Sequence, residues 1–188
     1  MLYLASSSPR RRELLQQIGV SFQQLKADVD ESIQAHELPS AYVQRLALAK
    51  AHAGLVQCQQ GDLILAADTT VVVDNTIIGK PDDLAHAQAI WRALSGRSHQ
   101  VLTAIALANH QHSQAVVVAT NVYFRAISEE DMLAYWQTGE PQDKAGAYGI
   151  QGKGALWVEK IEGSYSNVVG LPLMESAQLL QQFGYRVW

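Results

Sequence analysis

The sequence predicts a mixed-sheet α/β domain, and three observations predict it. Short apolar runs with strand-like alternation interleave with segments of helical periodicity along all 188 residues. One pair of runs, Thr70–Ile78, turns back on itself around Asp74-Asn75, and a purely parallel sheet has no place for such a hairpin. The composition, 48% hydrophobic and 17% charged, is that of a globular chain with little room for extended disorder. At roughly 150 residues per domain, the length predicts one domain over residues 1–188, or one with an appended lobe.

Each element has its own local cause. Leu2–Ala5 is a short apolar strand that runs into Ser6-Ser7-Ser8. Ser8 is a good N-cap and Pro9 a good first helical residue, so a helix starts there, runs to about Ile18 and stops at Gly19. Ser40–Val56 reads as a helix, Leu63–Ala67 as a buried strand and Thr70–Ile78 as the hairpin. Leu84–Leu94 is helical and ends before Gly96. Val101–Ala108 and Ala115–Ile127 are strands, the second alternating at Val116, Val118, Thr120, Val122 and Phe124. Ser128–Thr138 is a capped helix stopped by Gly139, Ala155–Ile161 a strand and Pro172–Phe183 the last helix. Trp188 and the other tryptophans read as packing residues.

Several function classes are excluded early. A net charge of −4 argues against a protein whose affinity comes from neutralising many nucleic-acid phosphates, though it allows a local basic pocket. The single cysteine, Cys58, has no internal disulfide partner and no neighbouring cation, so an inert thiol is expected. Met1–Ala5 lacks the basic start and long apolar run of a secretory signal. The longest apolar stretches fall far short of the roughly 20 residues that span a bilayer. The expectation is a cytoplasmic protein with neither nucleic acid nor membrane as its partner.

Four segments carry chemistry. In Ser6-Ser7-Ser8-Pro9-Arg10-Arg11-Arg12, three arginines occupy a helix's first turn, where the dipole favours acids. The helix after Ser128 supplies the contrast, with Glu129, Glu130 and Asp131 in those positions. An anion bound by the arginines and the free N–H groups explains the difference; a solvated basic helix start is the plainer alternative. In Leu63–Thr70, an apolar strand delivers Asp68 at its carboxyl end, the way to build a metal- or water-activating site or simply to cap a turn. Downstream, Gly79-Lys80-Pro81 adds a cation in a fixed turn, with no P-loop pattern around it. Lys50 shares the apolar helix face of Val43, Leu46 and Ala47, so it either snorkels to water or is aimed at a phosphate. In Asp143–Gly154, the glycines let backbone approach a ligand, and Gln151 offers both an amide donor and a carbonyl acceptor to a nucleobase edge. A flexible surface loop is the alternative there. Asp30-Glu31 is an acid pair that could hold a divalent cation or solvate a loop.

His110 and His112 flank a polar turn, no His/Cys cluster has zinc spacing, and no Gly-x-Ser-x-Gly elbow occurs. Together the segments imply a phosphate-bearing small molecule, a carboxylate for water or metal and an amide-lined pocket. That is a nucleotide hydrolase, with the bond cut left open.

At these residues the sequence resembles the Maf family of nucleotide pyrophosphatases. The matching blocks are Leu4-Ala5-Ser6-Ser7-Ser8-Pro9-Arg10-Arg11, Ala67-Asp68-Thr69 with Gly79-Lys80-Pro81, the run from Asp143 to Gly152, and Val169-Gly170-Leu171-Pro172-Leu173. The resemblance implies a Maf/Ham1 (ITPase-like) α/β fold, an elongated mixed β-sheet flanked by helices in one domain whose lobes surround a central cleft. It implies hydrolysis of nucleoside triphosphates to monophosphate and pyrophosphate with a divalent metal cation, Mg²⁺ or Mn²⁺, and it allows a homodimer. By position, Asp68 matches the family's proton acceptor. Ser6 falls in the phosphate-binding block; Arg11, Lys50 and Lys80 match phosphate-facing cations; and Glu31 matches a cleft acid that could share a metal with Asp68. Arg10, Thr69 and Gln151 match the positions that separate branches, and the dTTP/UTP branch carries Arg, Thr and Gln there, whereas the 7-methyl-GTP branch carries Trp, Gln and Glu. Guanine's donors favour a carboxylate, while a uracil or thymine edge, with one donor and two acceptors, suits an amide. The expected mechanism has Asp68 accept a proton from a water that attacks the α-phosphorus while cations and metal neutralise the leaving pyrophosphate. Two alternatives stay open: a nucleotide-binding regulator of cell division without turnover, and the same hydrolysis with another base preference.

Overall fold

A computed structural model describes residues 1–187 of the chain; Trp188, read above as a packing residue, lies outside the described residues. In chain order the elements are β1 (Leu2–Ala5), α1 (Pro9–Gln17), β2 (Gln23–Leu25), α2 (Pro39–Leu55), β3 (Leu63–Val73), β4 (Thr76–Ile78), α3 (Leu84–Leu94), β5 (Ser98–Ala108), β6 (Ser113–Phe124), α4 (Glu129–Trp136), β7 (Val158–Glu162), α5 (Tyr165–Val169) and α6 (Leu173–Gln182). Short 3₁₀ turns occupy Glu140–Asp143, Ala145–Ala147 and Lys153–Trp157. The sheet runs β2-β1-β3-β5-β6-β7, with β4 paired to β3. β1 pairs parallel with both β2 and β3, whereas β3–β4 and β6–β7 are antiparallel, so the sheet is mixed as expected.

The helix starts follow their caps. Ser8 precedes α1, Asp83 precedes α3 and Ser128 precedes α4, each accepting a backbone N–H of the first turn through its side chain. The hairpin turn is also as read: Asp74 and Asn75 take φ of 49° and 60°, the left-handed pair that a two-residue turn needs.

Several boundaries differ from the sequence reading, with β5 starting at Ser98 and not Val101 and β6 ending at Phe124 and not Ile127, and two further shifts matter most. β3 does not stop at Ala67 but continues to Val73, because Thr69–Val73 are all β-branched and Val71–Val73 pair with β4. Asp68 therefore sits within an 11-residue strand, not at its carboxyl end. The strand expected from Ala155 begins only at Val158, since Lys153–Trp157 coils into a 3₁₀ turn. β2, α5 and the 3₁₀ turns are too short to leave a periodic signal.

Contacts divide the chain into two compact units: Met1–Asp68 with Thr103–Val118 and the residues from Gly170 onward, and Thr69–Leu102 with Ala119–Val169. In the first, Leu4, Leu15, Leu46, Ile64, Leu65 and Ile105 are fully buried. A Cβ at Gly54 would lie 2.8 Å from the Ile64 side chain, so only glycine lets α2 lie this close to the strands. Cys58 is half-buried, and burial pushes its thiol up, in keeping with an inert group. No helix among the described residues is long and apolar enough to cross a membrane.

The second unit is built on aromatic rings. Trp91 meets Trp157 edge-on at 5.3 Å, and Phe124 meets Tyr148 at 4.7 Å. His99 is buried among them, 4.7 Å from the Phe124 ring, with Nε2 2.8 Å from the Tyr148 hydroxyl. Burial lowers its pKa to about 4. The unfolded chain, with His99 near its ordinary value of 6.5, then binds the extra proton first. Stability is therefore expected to fall as pH drops from about 6.5 to about 4, by on the order of 3 kcal/mol at most. Urea unfolding across this range checks it, and His99→Gln should flatten the slope.

Candidate active site

In the first unit the chemistry gathers where α1 begins. Ser6 Oγ accepts the Ser8 N–H at 3.2 Å and Arg11 Nη1 at 3.3 Å. Arg11 also donates from Nε to the Gly170 carbonyl and from Nη1 to the Ala67 carbonyl, both at 2.8 Å. The guanidinium thus has a structural task that the sequence reading missed: it joins the helix start, the residue before Asp68 and the Gly170 segment. Charge-assisted bonds to carbonyls offset the cost of a cation in a first turn. Burial lowers the Arg11 pKa; the Asp68 carboxylate pulls it back up, neighbouring Arg10 lowers it further, and Glu31 raises it. Arg10 itself is half-buried.

Lys50 does not snorkel. Its Nζ lies 2.7 Å from Asp68 Oδ1 and 2.6 Å from Glu31 Oε1. The Asp68 side chain is 10% exposed and that of Lys50 13%, whereas Glu31 is open at 54%. α2 buries Val43, Leu46 and Ala47 on the face that carries Lys50, and this holds the ammonium against the strand.

The segment bearing Glu31 is held by residues that sequence reasoning did not single out. Tyr42 donates its hydroxyl to the Glu31 carbonyl at 3.0 Å, and Arg45 Nη2 donates to the Ser32 carbonyl at 3.0 Å. Arg45 grips Glu37 with both Nε and Nη2, at 2.6 and 2.8 Å, which lowers the Glu37 carboxyl to about 2. Burial and the negative Asp68 and Glu31 push the Tyr42 phenol up. Asp30, paired with Glu31 as a possible cation ligand, instead caps a turn by accepting the Ser32 N–H at 2.9 Å.

In the second unit, Thr69 is half-buried, and Lys80 and Gln151 are exposed. The two conspicuous motifs meet through backbone: Gly146 N–H donates to the Gly79 carbonyl at 3.0 Å. Gly146 has φ of 71°, and a Cβ there would lie 2.7 Å from Val71 Cγ2, so glycine is required on both counts. Ala147, at φ 56°, is a non-glycine in the left-handed region, held by Trp91 Nε1 donating to its carbonyl at 2.8 Å. The Asp143–Gly154 run is thus a set of turns tied to β3, α3 and the Gly79 segment at Gly146 and Ala147.

Asp68 and Glu31 converge on a single ammonium, so two carboxylate oxygens are aimed at one point. That donor set suits a hard divalent cation, which takes one or two carboxylates and completes its shell with substrate phosphates and water. No group of three His, Cys, Asp or Glu among the described residues could hold a metal alone. His110 and His112 are exposed, and His112 stacks on Phe183 at 4.3 Å.

Comparison with known proteins shows the family. The model of the Maf family, described as Maf-like protein, matches residues 1–183. A protein of Shigella dysenteriae named dTTP/UTP pyrophosphatase is 50% identical over 182 residues, covering 97% of this chain and 92% of its own. A protein of the same name from Shewanella oneidensis is 52% identical over 190 residues, covering 97% of this chain and 98% of its own. Among solved structures, a HAM1 protein from Coxiella burnetii superposes with a TM-score of 0.55 at 17% identity, over 96% of this chain and 98% of that one. That likeness concerns the fold.

Proposed function

The chain belongs to the Maf family, and on that premise we propose that it hydrolyses dTTP and UTP to the monophosphate and pyrophosphate. The observation that carries this reading is the Lys50 ammonium set between Asp68 and Glu31, a fixed cluster of one cation and two carboxylates of the kind that positions water and charge for phosphoryl chemistry. Relatives half identical along nearly the whole chain carry the dTTP/UTP pyrophosphatase name.

Asp68 accepts the proton of a water as its oxygen attacks the α-phosphorus. The bond from that phosphorus to the bridging oxygen breaks, and pyrophosphate leaves with the electron pair. Lys50 orients Asp68 through their 2.7 Å contact, and Arg11, Lys80 and Ser6 take phosphate oxygens. Arg10, Thr69 and Gln151 select the base. Asp68 and Glu31 would hold a divalent cation, Mg²⁺ or Mn²⁺, which when bound supplies charge neutralisation of the triphosphate. The cytoplasm, where nucleoside triphosphates and Mg²⁺ are plentiful, is the fitting location.

The test is a panel of nucleoside triphosphates with Mg²⁺ or Mn²⁺, scored for pyrophosphate against phosphate release. dTTP and UTP should turn over fastest and yield pyrophosphate only. Binding without either product would instead support a regulatory nucleotide-binding role. In the same panel Gln151→Glu should lower kcat/KM for dTTP by about tenfold, because a carboxylate cannot donate to a pyrimidine carbonyl. Unchanged dTTP kinetics would remove Gln151 from base selection.

A further inference from the structure

The Gly149–Gly154 segment is wound around one carboxylate. Glu140 Oε2 accepts the Lys153 N–H at 2.9 Å, and Oε1 accepts the Tyr135 hydroxyl at 2.7 Å and the Gly154 N–H at 3.3 Å. The Tyr135 oxygen in turn accepts the Gly149 N–H at 3.0 Å. The glycines are there for this contact. A Cβ at Gly152 would stand 2.4 Å from the Glu140 carboxylate carbon and from each of its oxygens, and one at Gly154 would stand 2.8 Å from the Tyr135 hydroxyl. Bonds from Tyr135, Lys153 and Gly154 hold the Glu140 carboxyl below its usual range although burial opposes them. Gln151 lies midway between the anchored Gly149 and Lys153, with its own side chain exposed.

We infer that Glu140 is a positioning residue for base selection: its carboxylate, bridged to Gly149 through Tyr135, fixes the backbone on both sides of Gln151 and so aims the Gln151 amide. This rests on the reading that Gln151 meets the base. Neither Glu140 nor Tyr135 touches substrate in this scheme. They act by removing the conformational freedom that a run with glycines at 149, 152 and 154 would otherwise have.

The test is a set of full-length variants: Glu140→Gln, which keeps the shape and loses the charge; Gly152→Ala, which keeps the charge and pushes the carboxylate off its donors; Gln151→Ala; and the doubles. The readouts are kcat and KM for dTTP and dGTP, with melting temperature as a check on folding. Gln151→Ala, Glu140→Gln and Gly152→Ala should each lower the dTTP-over-dGTP ratio of kcat/KM by about tenfold, through KM for dTTP, with kcat held within about threefold. Glu140→Gln combined with Gln151→Ala should be no worse than Gln151→Ala alone, because both remove the same interaction. Gly152→Ala should become harmless in a Glu140→Ala background, where nothing remains for the methyl to displace. If the Glu140 and Gln151 losses multiply, or if Gly152→Ala leaves the ratio intact, Glu140 does not act through Gln151. Equal losses for both nucleotides would make Glu140 a matter of general folding and overturn the inference in the same way. If Gln151→Ala itself leaves the ratio unchanged, the base-reading premise fails, a result separable from the others because it needs no Glu140 variant.

Discussion

Replacing Asp68 by Asn is expected to cut turnover of dTTP by on the order of 10²-fold or more while leaving fold and nucleotide affinity close to normal. The substitution keeps the side chain's size in a site where it is 10% exposed, so packing around β3 is undisturbed. It removes the only feature that matters to the proposed step, a lone pair basic enough to take a proton from water. Single-turnover measurement of pyrophosphate release, with nucleotide binding measured separately by calorimetry, checks both halves. Near-normal turnover would remove Asp68 from the role of proton acceptor.

Lys50→Met is expected to be worse, since it damages stability as well as activity. The ammonium separates two carboxylates, at 2.7 Å from Asp68 and 2.6 Å from Glu31, and without it two negative groups converge with no ammonium between them. Breaking one partner out of a buried pair costs about 3–5 kcal/mol, and the open Glu31 side should keep the loss at the lower end, about 3 kcal/mol. Turnover should drop by on the order of 10²-fold or more, because the orientation of the proposed proton acceptor Asp68 is lost. Urea unfolding and steady-state kinetics on the same preparation measure both effects. A variant as stable and active as the parent would show that the pair contributes neither.

Much of the fold was readable because its signals are local. Ser8 and Ser128 are helix starts by side-chain chemistry, and Asp74-Asn75 is a turn by backbone chemistry. The site was readable only in part. Asp68, Lys50 and Glu31 stood out as charges in apolar or paired settings, and the structure joins them. The supports did not stand out. Arg45 holds Glu37 from eight residues away across a helix start, and Arg11 bonds a carbonyl 159 positions distant, pairings that no periodicity encodes. The glycines of the 143–154 run were legible as close-approach positions, but a sequence does not say what approaches. At Gly152 it is the protein's own Glu140.

Arg11 has one more consequence. Its Nε and Nη1 satisfy two carbonyls that are distant in the chain, Gly170 and Ala67, while the same group carries a positive charge beside Asp68. A lysine there would preserve the charge yet replace a planar fork by a single nitrogen, which cannot stand where both Nε and Nη1 now meet the two carbonyls. Loss of activity in such a variant would report scaffolding and ligand attraction together. At this position the usual charge-conserving swap is a poor instrument for separating architecture from recognition.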